Sequence, residues 1–191
     1  MKIVYIGCVK SSLKFLEAVY YKTKAEIIGI VTKTSSVYNA DHVSLEKFAL
    51  KHGIDWYDYK SNEEMEIWIK NKAPDLIYCF GWSNLIPPSV LTIPKHGAVG
   101  YHPTLLPYNR GRHPIIWSII LGIENTGSTF FFLEDDADSG DILNQKVVKI
   151  ESNEDANSLY NKLLSVGEDQ VRILTEEFIQ GTIKPVKQDN T

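Results

Sequence analysis

His102 stands directly before Pro103 at the end of an apolar run, and an acidic glycine turn, Asp138-Ser139-Gly140-Asp141, follows downstream. An imidazole with an ordinary pKa of ~6.5 can take and return a proton near neutrality. A carboxylate bonded to such a ring fixes its tautomer and stabilises its protonated form. His102 and Asp138 are therefore the candidate catalytic pair. A lone histidine is more often satisfied by backbone in a core or turn, but this one is accompanied. Pro103 restricts the backbone of His102 to extended conformations, and Leu105-Leu106-Pro107 anchors the loop behind it. Glu134, Asp135, Asp136, Asp138 and Asp141 crowd one turn. Asp138 stands apart because Ser139-Gly140 permits a tight turn that aims its carboxylate inward.

The elements that must hold this pair follow from periodicity. Residues 2–7, 26–32 and 75–80 read as buried strands, and 97–101 as a fourth that ends at His102. Residues 12–22, 43–52 and 62–72 read as helices. This alternation predicts an α/β fold: a mostly parallel sheet flanked by helices. Residues 126–133 and 142–150 read as longer antiparallel strands joined by the acidic turn. Ser152 is the expected cap of a C-terminal helix, with Asp155 three residues on. Leu159, Leu163, Val166, Gln170, Ile173 and Leu174 give that helix a mostly apolar face, and Gly181 ends it. Ligands bind open α/β sheets beyond the carboxyl ends of strands, where 7–10, 80–87 and 101–112 fall. No GxGxxG follows Gly7, so the fold is Rossmann-like without a dinucleotide fingerprint.

The 191 residues are expected to form one catalytic domain, 1–191. With 43% apolar and 23% charged residues the chain is globular. Its net charge of -4 argues against a nucleic-acid partner. Arg110, Arg112 and His113 still make a local basic cluster, and guanidinium groups suit a diphosphate. Trp82 and Tyr101 are candidates to border a base or sugar. Cys8 and Cys79 read as buried free thiols, and no residue spacing suggests a metal. No apolar run approaches the roughly 18 residues of a membrane span, and the N-terminus lacks the pattern of a signal peptide. A cytoplasmic setting is expected.

Three segments carry a resemblance over essentially the whole chain: GWSNLIP at 81–87, YHPTLLPYNRGRHP at 101–114 and TGSTFFFLEDDADSGDIL at 126–143. Together they resemble the folate-dependent formyltransferase family. The resemblance implies a Rossmann-like catalytic domain that takes its formyl group from N10-formyltetrahydrofolate. It places His102 and Asp138 on the family's catalytic histidine and aspartate. It places Ser83, Asn84, Leu85 and Ile86 on the loop whose backbone holds the pterin, and the turn with Asp135 and Asp136 on the other side of that pocket. The Arg110-Gly111-Arg112-His113 run is similar to the sugar-nucleotide branch, which includes enzymes of pseudaminic-acid type. That implies a nucleotide-linked amino-deoxysugar as acceptor and a place in surface-glycan biosynthesis. Methionyl-tRNA and glycinamide-ribotide formylation are the enzyme alternatives. Members of the tRNA branch carry a further C-terminal domain, whereas one helix and a short tail follow residue 152 here. The non-enzyme alternative is a silent folate- or nucleotide-binding relative.

One position departs from the family. An asparagine normally stands two residues before the histidine, and here it is Gly100. That amide would donate to the oxygen on which charge develops, and losing such a donor costs on the order of 3 kcal/mol. The expected substitutes are a backbone N–H, a water, or the side chain of Asn84 first and Asn109 second.

Overall fold

The computed structural model describes residues 1–37 and 39–189. Among the described residues, thirteen elements, strands and helices in alternation except for one consecutive pair of strands, lay out a seven-stranded, mostly parallel sheet. The chain forms two compact units, Met1–Val99 and Gly100–Thr191.

In the first unit, β1 (Lys2–Ile6) is fully buried from Ile3 to Ile6. Such a near-continuous apolar run is what a strand covered on both faces requires. It pairs in parallel with β2 (Glu26–Thr32) and with β4 (Leu76–Cys79), and β2 carries β3 (Trp56–Asp58) on its far side. Helix α1 (Lys10–Lys22) buries Phe15, Leu16 and Val19. Ser12 fixes its start: the hydroxyl donates to the Phe80 carbonyl at 2.6 Å and accepts from Val9 N–H at 3.1 Å. The turn after β4 is thereby tied to the turn after β1. The chain leaves β1 towards β2 but returns from β3 to β4 on the other side of β1, which makes a topological switch point between β1 and β4. Helices α2 (Glu46–His52), α3 (Asn62–Lys72) and α4 (Pro88–Leu91) complete the unit. Gly97 accepts from Ile77 N–H at 3.2 Å and leads into β5 (Ala98–His102), the strand that ends at His102.

In the second unit, α5 (Pro114–Ile120) precedes the antiparallel pair β6 (Asn125–Phe132) and β7 (Ile142–Lys149). The long helix α6 (Ala156–Gln180) packs Leu159, Leu163, Val171, Leu174 and Phe178 inward. Gln170 is buried on the same face and donates to the Ser128 carbonyl and to Asn144. The cap of α6 differs from expectation. Asp155, not Ser152, is the N-cap: its carboxylate accepts from Ser158 N–H at 2.7 Å while the Ser158 hydroxyl accepts from Asp155 N–H at 3.0 Å. The acid thus caps its own helix, with the serine as its reciprocal partner. Gly181, at φ 68°, ends the helix as expected. The chain then turns back, and Val186 and Ile142 exchange two backbone hydrogen bonds of 2.8 Å. Among the described residues, no helix is long and apolar enough to cross a membrane.

Candidate active site

β5 delivers His102 at its last residue, and the following loop is pinned from outside. Thr126 and Thr129 on β6 donate their hydroxyls to the carbonyls of Pro103 and Thr104, and Gln145 on β7 donates to the carbonyl of Leu106. His102 is 5% exposed. Its Nε2 lies 2.9 Å from the Asn109 carbonyl. A carbonyl only accepts, so this nitrogen carries the proton and Nδ1 is left to face Asp138. The Asp138 Oδ2 stands 3.7 Å from Nδ1, an ion-pair distance longer than a direct hydrogen bond. The same Oδ2 accepts the Gly111 N–H at 3.0 Å. One carboxylate oxygen is therefore shared between the imidazole and the arginine-bearing loop.

The acidic turn achieves this with an unexpected division of labour. Asp138 itself takes the left-handed conformation, at φ 56°, which aspartate tolerates better than most residues. Gly140 is required for closeness instead: a Cβ there would collide with the Phe132 carbonyl. Asp135 and Asp136 are exposed, and the Asp136 carbonyl accepts the Ser139 hydroxyl at 2.8 Å.

Gly100 has a steric explanation. Alternation along β5 sends positions 100 and 102 to one face. A Cβ at 100 would lie 2.6 Å from Leu133 Cδ2 and 2.9 Å from Phe131 Cζ. Two apolar side chains thus fill the space that an asparagine would need. Tyr101 leaves the opposite face. Its ring packs on Phe130 and its hydroxyl accepts from Ser128, and burial pushes its pKa up.

The basic loop has one paired arginine and an exposed remainder. Arg110 donates to Gln188 Oε1 at 2.6 Å. Arg112 and His113 are exposed, and the side chain of Arg112 has no partner among the described residues. Gln188 was not anticipated. It lies far along the sequence, in no motif, and only the return of the tail brings it to the turn.

In the first unit, the turn after β4 holds Trp82, Ser83, Asn84, Leu85 and Ile86. Lys33 lies over the Trp82 ring at 4.7 Å and donates to Asn84 Oδ1 at 3.0 Å. The Asn84 amide donates to the Tyr59 hydroxyl at 3.3 Å. Both ends of Asn84 are thus engaged, which leaves Asn109 as the freer of the two expected donors. Ser83 donates to Asn39 at 3.1 Å, and Leu85 is 74% exposed. Among the described residues, the backbone of 83–86 forms no hydrogen bond. Among the described residues, the Trp82 indole N–H and both His42 ring nitrogens are buried without a partner. Cys8 and Cys79 are buried and unpaired, as expected, and burial raises both thiol pKa values.

An open, mostly parallel sheet with a histidine–carboxylate pair at a strand end defines a Rossmann-like fold with a candidate acid–base site. More narrowly, the chain belongs to the formyl transferase family, whose model matches residues 1–180 and so runs across both units. Methionyl-tRNA formyltransferase of Bacillus cytotoxicus is 32% identical over 99% of this chain, which spans 62% of that relative's length. Phosphoribosylglycinamide formyltransferase from Anaplasma phagocytophilum shares the fold with a TM-score of 0.83 at 19% identity, covering 100% of this chain and 93% of its own. The N-formyltransferase from Helicobacter canadensis, solved with folinic acid and dTDP-3-aminofucose, gives 0.75 at 19% identity, covering 100% and 68%.

Proposed function

We propose that the protein transfers a formyl group from N10-formyltetrahydrofolate to a primary amine, and that the acceptor is an amino-deoxysugar linked to a nucleoside diphosphate. The observation that carries the transfer reading is the buried His102 with the half-buried Asp138 at 3.7 Å in a chain of this family. The backbone N–H and C=O groups of 83–86, without hydrogen bonds among the described residues, suit the donor- and acceptor-rich edge of a pterin, and the exposed Leu85 suits its flat apolar face. When bound, the folate supplies an activated one-carbon unit.

The chain's own residues manage the protons. The Asn109 carbonyl fixes His102 with its proton on Nε2. A neutral amine attacks the formyl carbon, and its surplus proton is taken at Nδ1. The Asp138 carboxylate beside that nitrogen stabilises the imidazolium. His102 then returns the proton to the departing folate nitrogen as the carbon–nitrogen bond breaks. The exposed, unpartnered Arg112 beside this pair supports a diphosphate-bearing acceptor.

A second reading, methionyl-tRNA as acceptor, is favoured by the 32% identity to a methionyl-tRNA formyltransferase. One panel separates the two. The protein is incubated with the formyl donor and, in parallel, with UDP-, dTDP- and GDP-aminosugars, methionyl-tRNA and glycinamide ribotide. Mass gain of one formyl group on an aminosugar is the expected result. Formylation of methionyl-tRNA alone would replace the acceptor, and folate binding without any product would leave a binding module.

A further inference from the structure

We propose that Gln188, in the tail that follows α6, is a positioning residue for Asp138; the inference rests on the His102–Asp138 reading above. The Gln188 side chain is 8% exposed and all of its polar capacity is directed at the site. Its amide nitrogen donates to the Asp138 carbonyl at 2.9 Å and to the Gly140 carbonyl at 2.6 Å, and its oxygen accepts from Arg110 at 2.6 Å. Two of these bonds hold the backbone on either side of Ser139. The first falls on Asp138 itself, whose left-handed conformation, φ 56°, sets the direction of the carboxylate, and the second on Gly140 two residues later. Left-handed backbone is uphill for a residue with a Cβ and persists where its surroundings over-determine it. Gln188 is such a surrounding group, because a primary amide offers two N–H donors to two carbonyls that diverge from one turn. The third bond reaches Arg110, which adjoins the Gly111 N–H on Asp138 Oδ2. Gln188 therefore grips both loops that meet at the carboxylate, from the backbone side of one and the side-chain side of the other. The Val186–Ile142 exchange anchors the tail two residues earlier, so the amide arrives from a fixed strand-like segment.

The test uses Gln188→Ala and the near-isosteric Gln188→Glu, which keeps an acceptor for Arg110 but has no donor for the two carbonyls. Each is measured alone and combined with Asp138→Ala, with melting temperature as the fold control. Loss of an outer partner that orients a working group costs about 10- to 100-fold. Both variants should lose that much kcat with little change in KM for the formyl donor, and the loss should vanish in the Asp138→Ala background. The Gly111 amide proton, read by NMR, should shift upfield in both as its bond to Asp138 weakens. Equal kcat losses with and without Asp138, or an unmoved Gly111 resonance, would make Gln188 merely structural and overturn the proposal. If Asp138→Ala alone keeps the wild-type rate, the catalytic pair itself fails and Gln188 falls with it.

Discussion

At the residue scale, the proposed site is a histidine ring held on one side by the Asn109 carbonyl and faced on the other by the Asp138 carboxylate. His102→Ala and Asp138→Ala should each lower kcat by ~10³-fold or more, and the double variant should be little slower than the worse single one, because the two act as a unit. Steady-state kinetics on the folded variants check this. The missing asparagine now has a sharper test. Phe131 is 2% exposed and cannot yield readily, so Gly100→Asn should lower the melting temperature without raising kcat. Asn109→Ala keeps the carbonyl that holds His102 but removes the side-chain amide. If that amide donates to the developing oxyanion, kcat should fall ~10²-fold at nearly constant KM. An unchanged rate would assign the role to a backbone N–H or a solvent molecule. The closeness of His102 and Asp138, 3.7 Å apart, was legible because HP and DSG are local signals. Gly100 was legible as a departure but not as a packing solution, since its reason lies in Phe131 and Leu133 on another strand. The Arg110–Gln188 bond was not legible, because nothing in the neighbourhood of Arg110 in sequence names Gln188.

At the element scale, strands β1, β2, β4 and β5 were legible because buried parallel strands are continuous apolar runs. β3 escaped because it has three half-buried residues, and α4 and α5 because each is short and opens with proline. The junction of β1 and β4 offers a pH-dependent test. The backbone N–H of Lys2 donates to Asp75 at 2.8 Å, and the Lys95 ammonium lies 3.3 Å away. These contacts, the Lys2 bond foremost, hold the Asp75 carboxyl below the ordinary carboxylate value of ~3.9. A depressed folded pKa means that the stability is fully present above the unfolded value. It is lost as pH falls through the folded one. Asp75→Asn should therefore melt lower than the wild type at neutral pH, and the two curves should converge below about pH 4. A constant gap from pH 7 to pH 2.5 would show that the carboxylate charge is not the source.

At the scale of the whole molecule, charge and chemistry point in different directions. The net charge of -4 disfavours polyanions in general, yet Arg112 stands exposed beside the proposed site. Arg112→Ala should raise KM for a nucleotide sugar several-fold and leave KM for the formyl donor nearly unchanged. A loss confined to the folate side would reassign the loop.

The Lys33–Trp82 contact has a spectroscopic consequence. The ammonium lies 4.7 Å from the indole, and the indole shares its turn with the residues proposed to meet the pterin. Indole emission responds to nearby charge and to absorbing ring systems. The four tryptophans therefore include one that reports occupancy of this turn. Titrating a non-reactive folate should quench the emission of the wild type and do so far less in Trp82→Phe, giving a direct optical measure of binding that needs no turnover.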